Sequence, residues 1–306
     1  MVGSIDGRPA LFNASGMSFP FGDTEAYGRD LSEMGFFAVG NNEEDRIPFR
    51  WTLSGTGELE DPTATQIELL KLEGALYANV RAVNDLGQAA GDHYFFPDDT
   101  GYQARTAAIW EVDGTIITLP HLPESDRAWP RAINNSGHVV GASYFSGASP
   151  EAVLWIKIGG VYTVVDLGGD DYRGQAVWVS DVSGGLITVA GYSTDTESGE
   201  SATTFWTVDV GATPPVVGMH RVPHELCLRD VNASGDVVCN GELVWNWLGG
   251  SSSTLPGFDD RCGEPLGRRI NDAGTVVGYR QVFVSTGKGK SRGYCTVQAV
   301  MWTKNQ

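Results

Sequence analysis

Apolar positions along this chain come in short runs, many rich in β-branched residues, and each run is bounded by glycine, asparagine, aspartate or serine. That pattern predicts strands joined by tight turns. The runs also repeat. Arginine, any residue, a branched apolar residue, a small polar residue, two more and a glycine are followed by an apolar run ending in glycine. The phrase reads RDLSEMGFFAVG from Arg29, RAVNDLGQAAG from Arg81, RAINNSGHVVG from Arg131, RDVNASGDVVCNG from Arg229 and RRINDAGTVVGY from Arg268. A degraded copy, SDVSGGLITVAG, starts at Ser180. The closing glycines fall at 40, 91, 141, 191, 241 and 278, so the period is close to fifty residues.

A second mark follows each copy, an apolar strand ending in Trp51, Trp110, Trp155, Trp206, Trp245 or Trp302; Gly3 and Phe12 take the two roles at the N-terminus. In N-x-x-G the asparagine opens a turn and the glycine closes it where φ must be positive. The unit is then a hairpin, a tryptophan strand and a fourth strand such as GTIITLP or VYTVVDL. Four antiparallel strands in a unit of this length describe a propeller blade. The expected fold is therefore all-β, a single β-propeller over residues 1–306 closed by its two termini. Seven blades follow from the tryptophan-type strands counted with Phe12; the alternative is six blades and an N-terminal hairpin.

INNSGHVVG at 133–141, AVLW at 152–155 and INDAGTVVG at 270–278 resemble the HAF-type extracellular repeat, a family of β-propeller-like repeat proteins. The similarity covers nearly the whole chain. It implies the propeller scaffold and a location outside the cell, and it is silent about activity, which resides in loops rather than in the scaffold.

Composition narrows the partners. Hydrophobic residues make up 41% and charged residues 19%, which suits a folded domain. A net charge of −17 repels phosphate backbones and anionic lipid, so neither nucleic acid nor a membrane surface is the expected partner. No apolar run is long enough to span a bilayer. The start, MVGSIDGRPALF, does not read as a secretory signal, so a virion surface is expected beside the cell surface as a location. Cys227, Cys239, Cys262 and Cys295 lack zinc-site spacing; pairings 227–239 and 262–295 are expected, and disulfides would imply an oxidising location.

Turn lengths are nearly constant, whereas the connection from closing glycine to tryptophan spans 11, 19, 14, 15, 4 and 24 positions. The variable loops mark the face where binding is expected, of a glycan or of another protein. That face is acidic, with Glu124, Asp126, Asp170, Asp171, Asp259 and Asp260 on entry loops. Asp170, Asp171, Asp259 and Asp260 are the candidate metal ligands, calcium being the ion they would suit, although none has EF-hand spacing. Otherwise no cofactor is expected. The basic loop GKGKSRG at 287–293 suggests association with other chains.

The repeated arginines, Arg29, Arg81, Arg131, Arg229 and Arg268, with Ser180 in the sixth copy, lie two residues before a core Ile or Val and are expected on its face. They either bond the next blade or form a guanidinium ring suited to carboxylate or sulfate. Two positions earlier stand Tyr27, Asn79, Trp129, Trp178, Cys227 and Leu266. The binding candidates are Tyr27, Trp129, Trp178, Arg81, Arg131 and Arg229. No hydrolase, zincin or nucleotide motif is present. A catalytic alternative, a polysaccharide lyase, would set His93 or Tyr144 beside Arg131.

Overall fold

The computed structural model describes residues 2–5, 8–12, 18–21, 26–42, 44–54, 63–97, 103–144, 149–222, 228–232, 234–239, 243–246, 251–255, 266–285 and 293–303. The fold is all-β, with no helix among the described residues. The chain divides into two compact units, Met1–Pro223 and His224–Gln306.

Antiparallel meanders fill both units. In the first unit β1 (Val2–Ile5), β2 (Arg8–Phe12) and β3 (Ser18–Pro20) form a three-stranded sheet. A four-stranded one follows: β4 (Ala26–Leu31), β5 (Phe37–Asn42), β6 (Pro48–Ser54) and β7 (Thr63–Glu68). The third is β8 (Tyr77–Val83), β9 (Ala89–Pro97), β10 (Gln103–Trp110) and β11 (Ile116–Thr118). The fourth is β12 (Arg127–Ile133), β13 (Val139–Tyr144), β14 (Glu151–Ile158) and β15 (Val161–Asp166). One parallel bridge, Arg105 opposite Arg127, joins these two into a single sheet. The fifth is β16 (Tyr172–Val179), β17 (Leu186–Asp195), β18 (Ser201–Asp209) and β19 (Val216–Val222). The second unit holds β20 (Leu228–Val231), β21 (Asp236–Cys239), β22 (Leu243–Asn246) and β23 (Ser251–Thr254) in one sheet. Its other sheet is β24 (Leu266–Ile270), β25 (Val276–Ser285) and β26 (Gly293–Trp302). Among the described residues no sheet closes on itself.

The repeated phrase has a local cause at each position. In every meander from the second onward the first strand slips register by one residue against its partner. The residue left over is Arg29, Arg81, Arg131, Val177, Arg229 or Arg268, so the repeated arginine is the extra residue of a β-bulge. Val177, not Ser180, therefore holds the arginine position in the fifth meander. Ser180 instead opens the turn: its amide donates to Thr188 O at 2.9 Å, as Asn134 donates to His138 O at 3.0 Å. That turn is four residues longer, which hid the register. Gln175, not Trp178, consequently stands where Trp129 and Asn79 stand.

The bulge also overturns the expectation that arginine shares the face of the core residue two positions on. An extra residue breaks the period of two. Val83 pairs with Ala89, while Ala82 pairs with Ala90 and Asn79 with Asp92, so Asp92 and Ala90 lie on one face and Ala89 on the other. Arg81 reaches Asp92 and therefore turns away from Val83. The closing glycine sits opposite the bulge. A Cβ added to Gly40, Gly91, Gly141 or Gly191 would collide with the carbonyl oxygen of Tyr27, Asn79, Trp129 or Gln175 respectively, so only glycine fits.

The turn asparagine works twice. Asn134 Oδ1 accepts the amides of Ser136 at 3.1 Å and His138 at 2.8 Å, and Gly137 closes the turn at φ +80°. Its Nδ2 donates to Ser180 O in the next meander at 2.8 Å, as Asn84 Nδ2 donates to Asn134 O at 2.9 Å. Asn232 reaches Asn271 O in the same way within the second unit, at 3.0 Å. The residue after it extends the chain of contacts, since Asn135 Oδ1 accepts the Asp85 amide and Asp181 Oδ1 accepts the Asn135 amide. Buried Arg50 adds a clasp from the second meander, donating to Gly87 O, Glu111 O and Val112 O of the third.

Trp51, Trp110, Trp155 and Trp206 lie on third strands and are wholly buried. Each withdraws roughly 200 Å² from water, on the order of 4–5 kcal/mol before conformational entropy is counted. Trp155 packs with Ile109, Ile133, Val139 and Val153, so its cluster draws on the third and fourth meanders together.

Candidate functional site

The variable-loop ends of the second, third and fourth meanders carry an unbroken stack of rings and guanidinium groups. Arg46 lies over Tyr77 at 4.7 Å, and Tyr77 stacks on Tyr94 with centroids 4.3 Å apart. Arg105 covers Tyr94 at 4.1 Å and Trp129 at 5.1 Å. Trp129 meets Tyr144 edge-on at 5.2 Å, and Arg127 caps Tyr144 at 5.7 Å. Register builds this ladder. Tyr77 and Tyr94 are cross-strand partners, as are Tyr94 and Arg105, Arg105 and Arg127, and Arg127 and Tyr144. Cation–π attraction between such neighbours is worth about 0.5–2 kcal/mol each, more where water is excluded.

The bulge arginines stand beside it. Arg131 lies over Trp129 at 5.3 Å and donates Nη2 to Gln175 Oε1 in the next meander at 3.2 Å. Tyr192 donates its hydroxyl to the same oxygen at 3.3 Å. Arg81 Nε meets Asp92 Oδ1 at 2.7 Å, and Asp92 is fully buried. Arg29 stacks on Tyr27 at 4.5 Å and donates to its hydroxyl at 3.1 Å. Burial holds Arg131 below the ordinary arginine range, and the neighbouring charges of Arg81 and Arg29 add to the depression. Burial lowers Arg81 too, but the Asp92 carboxylate more than restores it and leaves it raised. Tyr94 is pushed up to about 12, first by burial and then by Asp92, so its phenol stays protonated at neutral pH. The indole N–H of Trp129 is buried without a hydrogen-bond partner.

Arg131 bonds the following meander, and Arg29, Arg81 and Arg131 gather their charges in one region of a chain that is otherwise strongly acidic. Arg229 is exposed and lies in the second unit, as does Arg268, which repeats the Arg29 arrangement on Tyr279 at 5.3 Å. Trp178 is half-buried on β16 and stands outside the ladder. Reading from the arginines alone misses Tyr77, Tyr94 and Arg105, and it gave Tyr144 only the role of a lyase base beside Arg131. The available signal was positional: Tyr77 and Arg127 fall four residues before a bulge arginine, and Tyr94 and Tyr144 three after a closing glycine.

Asp170 and Asp171 are exposed on the turn before β16, and among the described residues no group of three or more His, Cys, Asp or Glu is placed to hold a metal ion. Asp259, Asp260 and the loop at 287–293 lie outside the described residues. Cys295 is disulfide-bonded, and its partner's side chain lies outside the described residues, so neither expected pairing is tested. His93 is fully buried with its ring 5.0 Å from that of Trp110, and burial lowers it to about 4. It is one residue from Asp92 on a strand, so the two side chains point to opposite faces and His93 turns away from the arginines. Compared with family models and with curated proteins, the chain matches none.

Proposed function

We propose that this protein is a non-catalytic recognition module that binds an acidic glycan along the arginine–aromatic ladder. The observation carrying this reading is the ladder itself: Arg46, Tyr77, Tyr94, Arg105, Trp129 and Tyr144 in one continuous stack. Aromatic faces suit the C–H faces of sugar rings, and guanidinium groups between them suit carboxylate or sulfate. The guanidinium cluster stands on a chain of net charge −17, so an anion is drawn to this place and repelled from most others. In this reading the seven meanders are the blades of one β-propeller over residues 1–306. The clasps from Asn84, Asn134 and Asn232 support it, because each ties a turn to the turn of the next meander. The surface of a cell or virion is the proposed location, supported by the HAF-type resemblance and by the Cys295 disulfide. The lyase alternative gains nothing from His93, which points into the core.

Calorimetric titration with oligogalacturonate, a sulfated oligosaccharide and a neutral oligomer of equal length tests the proposal, with calcium and without. Binding of an anionic oligomer, weakened at least tenfold in Arg105→Ala and by raised salt, is expected. No binding of any anionic oligomer, or equal binding by Arg105→Ala, would overturn it and leave a protein as the partner to seek.

A further inference from the structure

Three connections between successive meanders can be laid over one another, and one differs. Residues 69–76 lead into β8 and residues 119–126 into β12, eight in each case, while only the five residues 167–171 lead into β16. All three begin with a buried leucine, Leu69, Leu119 or Leu167, whose amide donates back to the preceding meander. In the two longer connections the carbonyl of the second residue, Leu70 or Pro120, accepts the indole N–H of the following meander's tryptophan. Both bonds measure 2.7 Å. A small turn, closed by Ala75 N–H to Leu72 O or Ser125 N–H to Leu122 O, then covers that place.

The short connection has no room for the turn. Asp166 Oδ1 accepts the amides of Gly168 at 2.9 Å and Gly169 at 3.0 Å instead. An open cleft of roughly 580 Å³ remains, bordered by Leu167, Gly168, Tyr172, Val217, Met219 and Arg221. Trp206, the counterpart of Trp110 and Trp155, is wholly buried, and its Nε1 has no hydrogen-bond partner. The acceptor position used in the two sister meanders corresponds here to Gly168, and the cross-strand neighbour of Trp206 is Met219. Both line the cleft, so the buried indole lies behind its wall without opening onto it.

We propose that this cleft binds a single neutral sugar ring, at a site separate from the ladder. Leu167, Val217 and Met219 offer an apolar floor for a C–H face, and Tyr172 stands beside Arg221 at 4.7 Å. Arg221 is held by Ser193 Oγ at 3.1 Å and Glu200 O at 2.7 Å, which fixes it as a donor at the rim. The Asp166 carboxylate balances that charge, so a neutral hydroxylated ring fits better than an anion. The sugar hydroxyls would donate to Asp166 and accept from Arg221.

The test is the indole N–H resonance of Trp206 in the full chain, assigned through Trp206→Phe. Methyl glycosides of glucose, galactose and mannose are titrated separately, with glycerol as the control polyol. A saturable shift of the Trp206 signal with at least one glycoside is expected, with the Trp110 and Trp155 signals unmoved. It should vanish in Val217→Trp, which fills the cleft, while the other indole signals of that variant keep their positions. A failure of all three glycosides to give a saturable shift, or an equal response to glycerol, overturns the proposal. Neither outcome bears on the ladder, because the probes carry no charge.

Discussion

His93 should make the first unit lose stability in mild acid, earlier than its carboxylates do. Its side chain is fully buried against Trp110, and burial lowers it from 6.5 to about 4, against an opposing pull from Asp92. The unfolded chain then binds the proton better than the folded one, so the stabilisation is complete above the unfolded pKa of 6.5 and drains away as pH falls. At one pKa unit per 1.36 kcal/mol, the loss reaches about 2 kcal/mol by pH 5 and about 3 kcal/mol by pH 4. Urea unfolding at steps between pH 7.5 and pH 5 measures it, comparing the chain with His93→Phe, which keeps a ring against Trp110 and cannot titrate. The difference between the two should change by about 2 kcal/mol over that range, while His138, lowered mainly by its own burial, contributes equally to both. Parallel pH profiles would refute the reasoning, since they would mean that the His93 site admits the proton as readily as water does.

Other consequences are separable. Gly141→Ala puts a Cβ into the Trp129 carbonyl oxygen and should cost about 3 kcal/mol, whereas Gly114→Ala meets no atom and is limited to the strain of its positive φ; denaturant midpoints will rank them. Asn134→Ala leaves the turn amides and the Ser180 carbonyl without their partner and should cost about 2–3 kcal/mol, read as a lowered midpoint and faster amide exchange in both turns. Trp110→Phe forfeits the bond to Leu70 O, so it should be about 1 kcal/mol more damaging than Trp206→Phe, whose N–H has no partner to lose.

Local chemistry was legible from the residues alone. A glycine after N-x-x, a β-branched run and a tryptophan at a fixed place each have one low-energy use, so turns, strands and core anchors follow from short-range rules. The all-β character and the third-strand position of Trp51, Trp110, Trp155 and Trp206 needed nothing further. The bulge was not legible, because an alternating pattern with one residue too many looks continuous until the partner strand is laid beside it. That one residue turns Arg81 toward Asp92, makes glycine obligatory opposite Asn79, and moves Ser180 out of the arginine position. The ladder depends on register in the same way. Tyr77, Tyr94, Arg105 and Arg127 are far apart in the chain and meet only because four strands align at one level. Sequence thus settled what each short segment would become, through interactions reaching a few residues. Only the packed sheets settled which side chains would face one another, because cross-strand pairing sums over distant segments and a slip of one position exchanges every face.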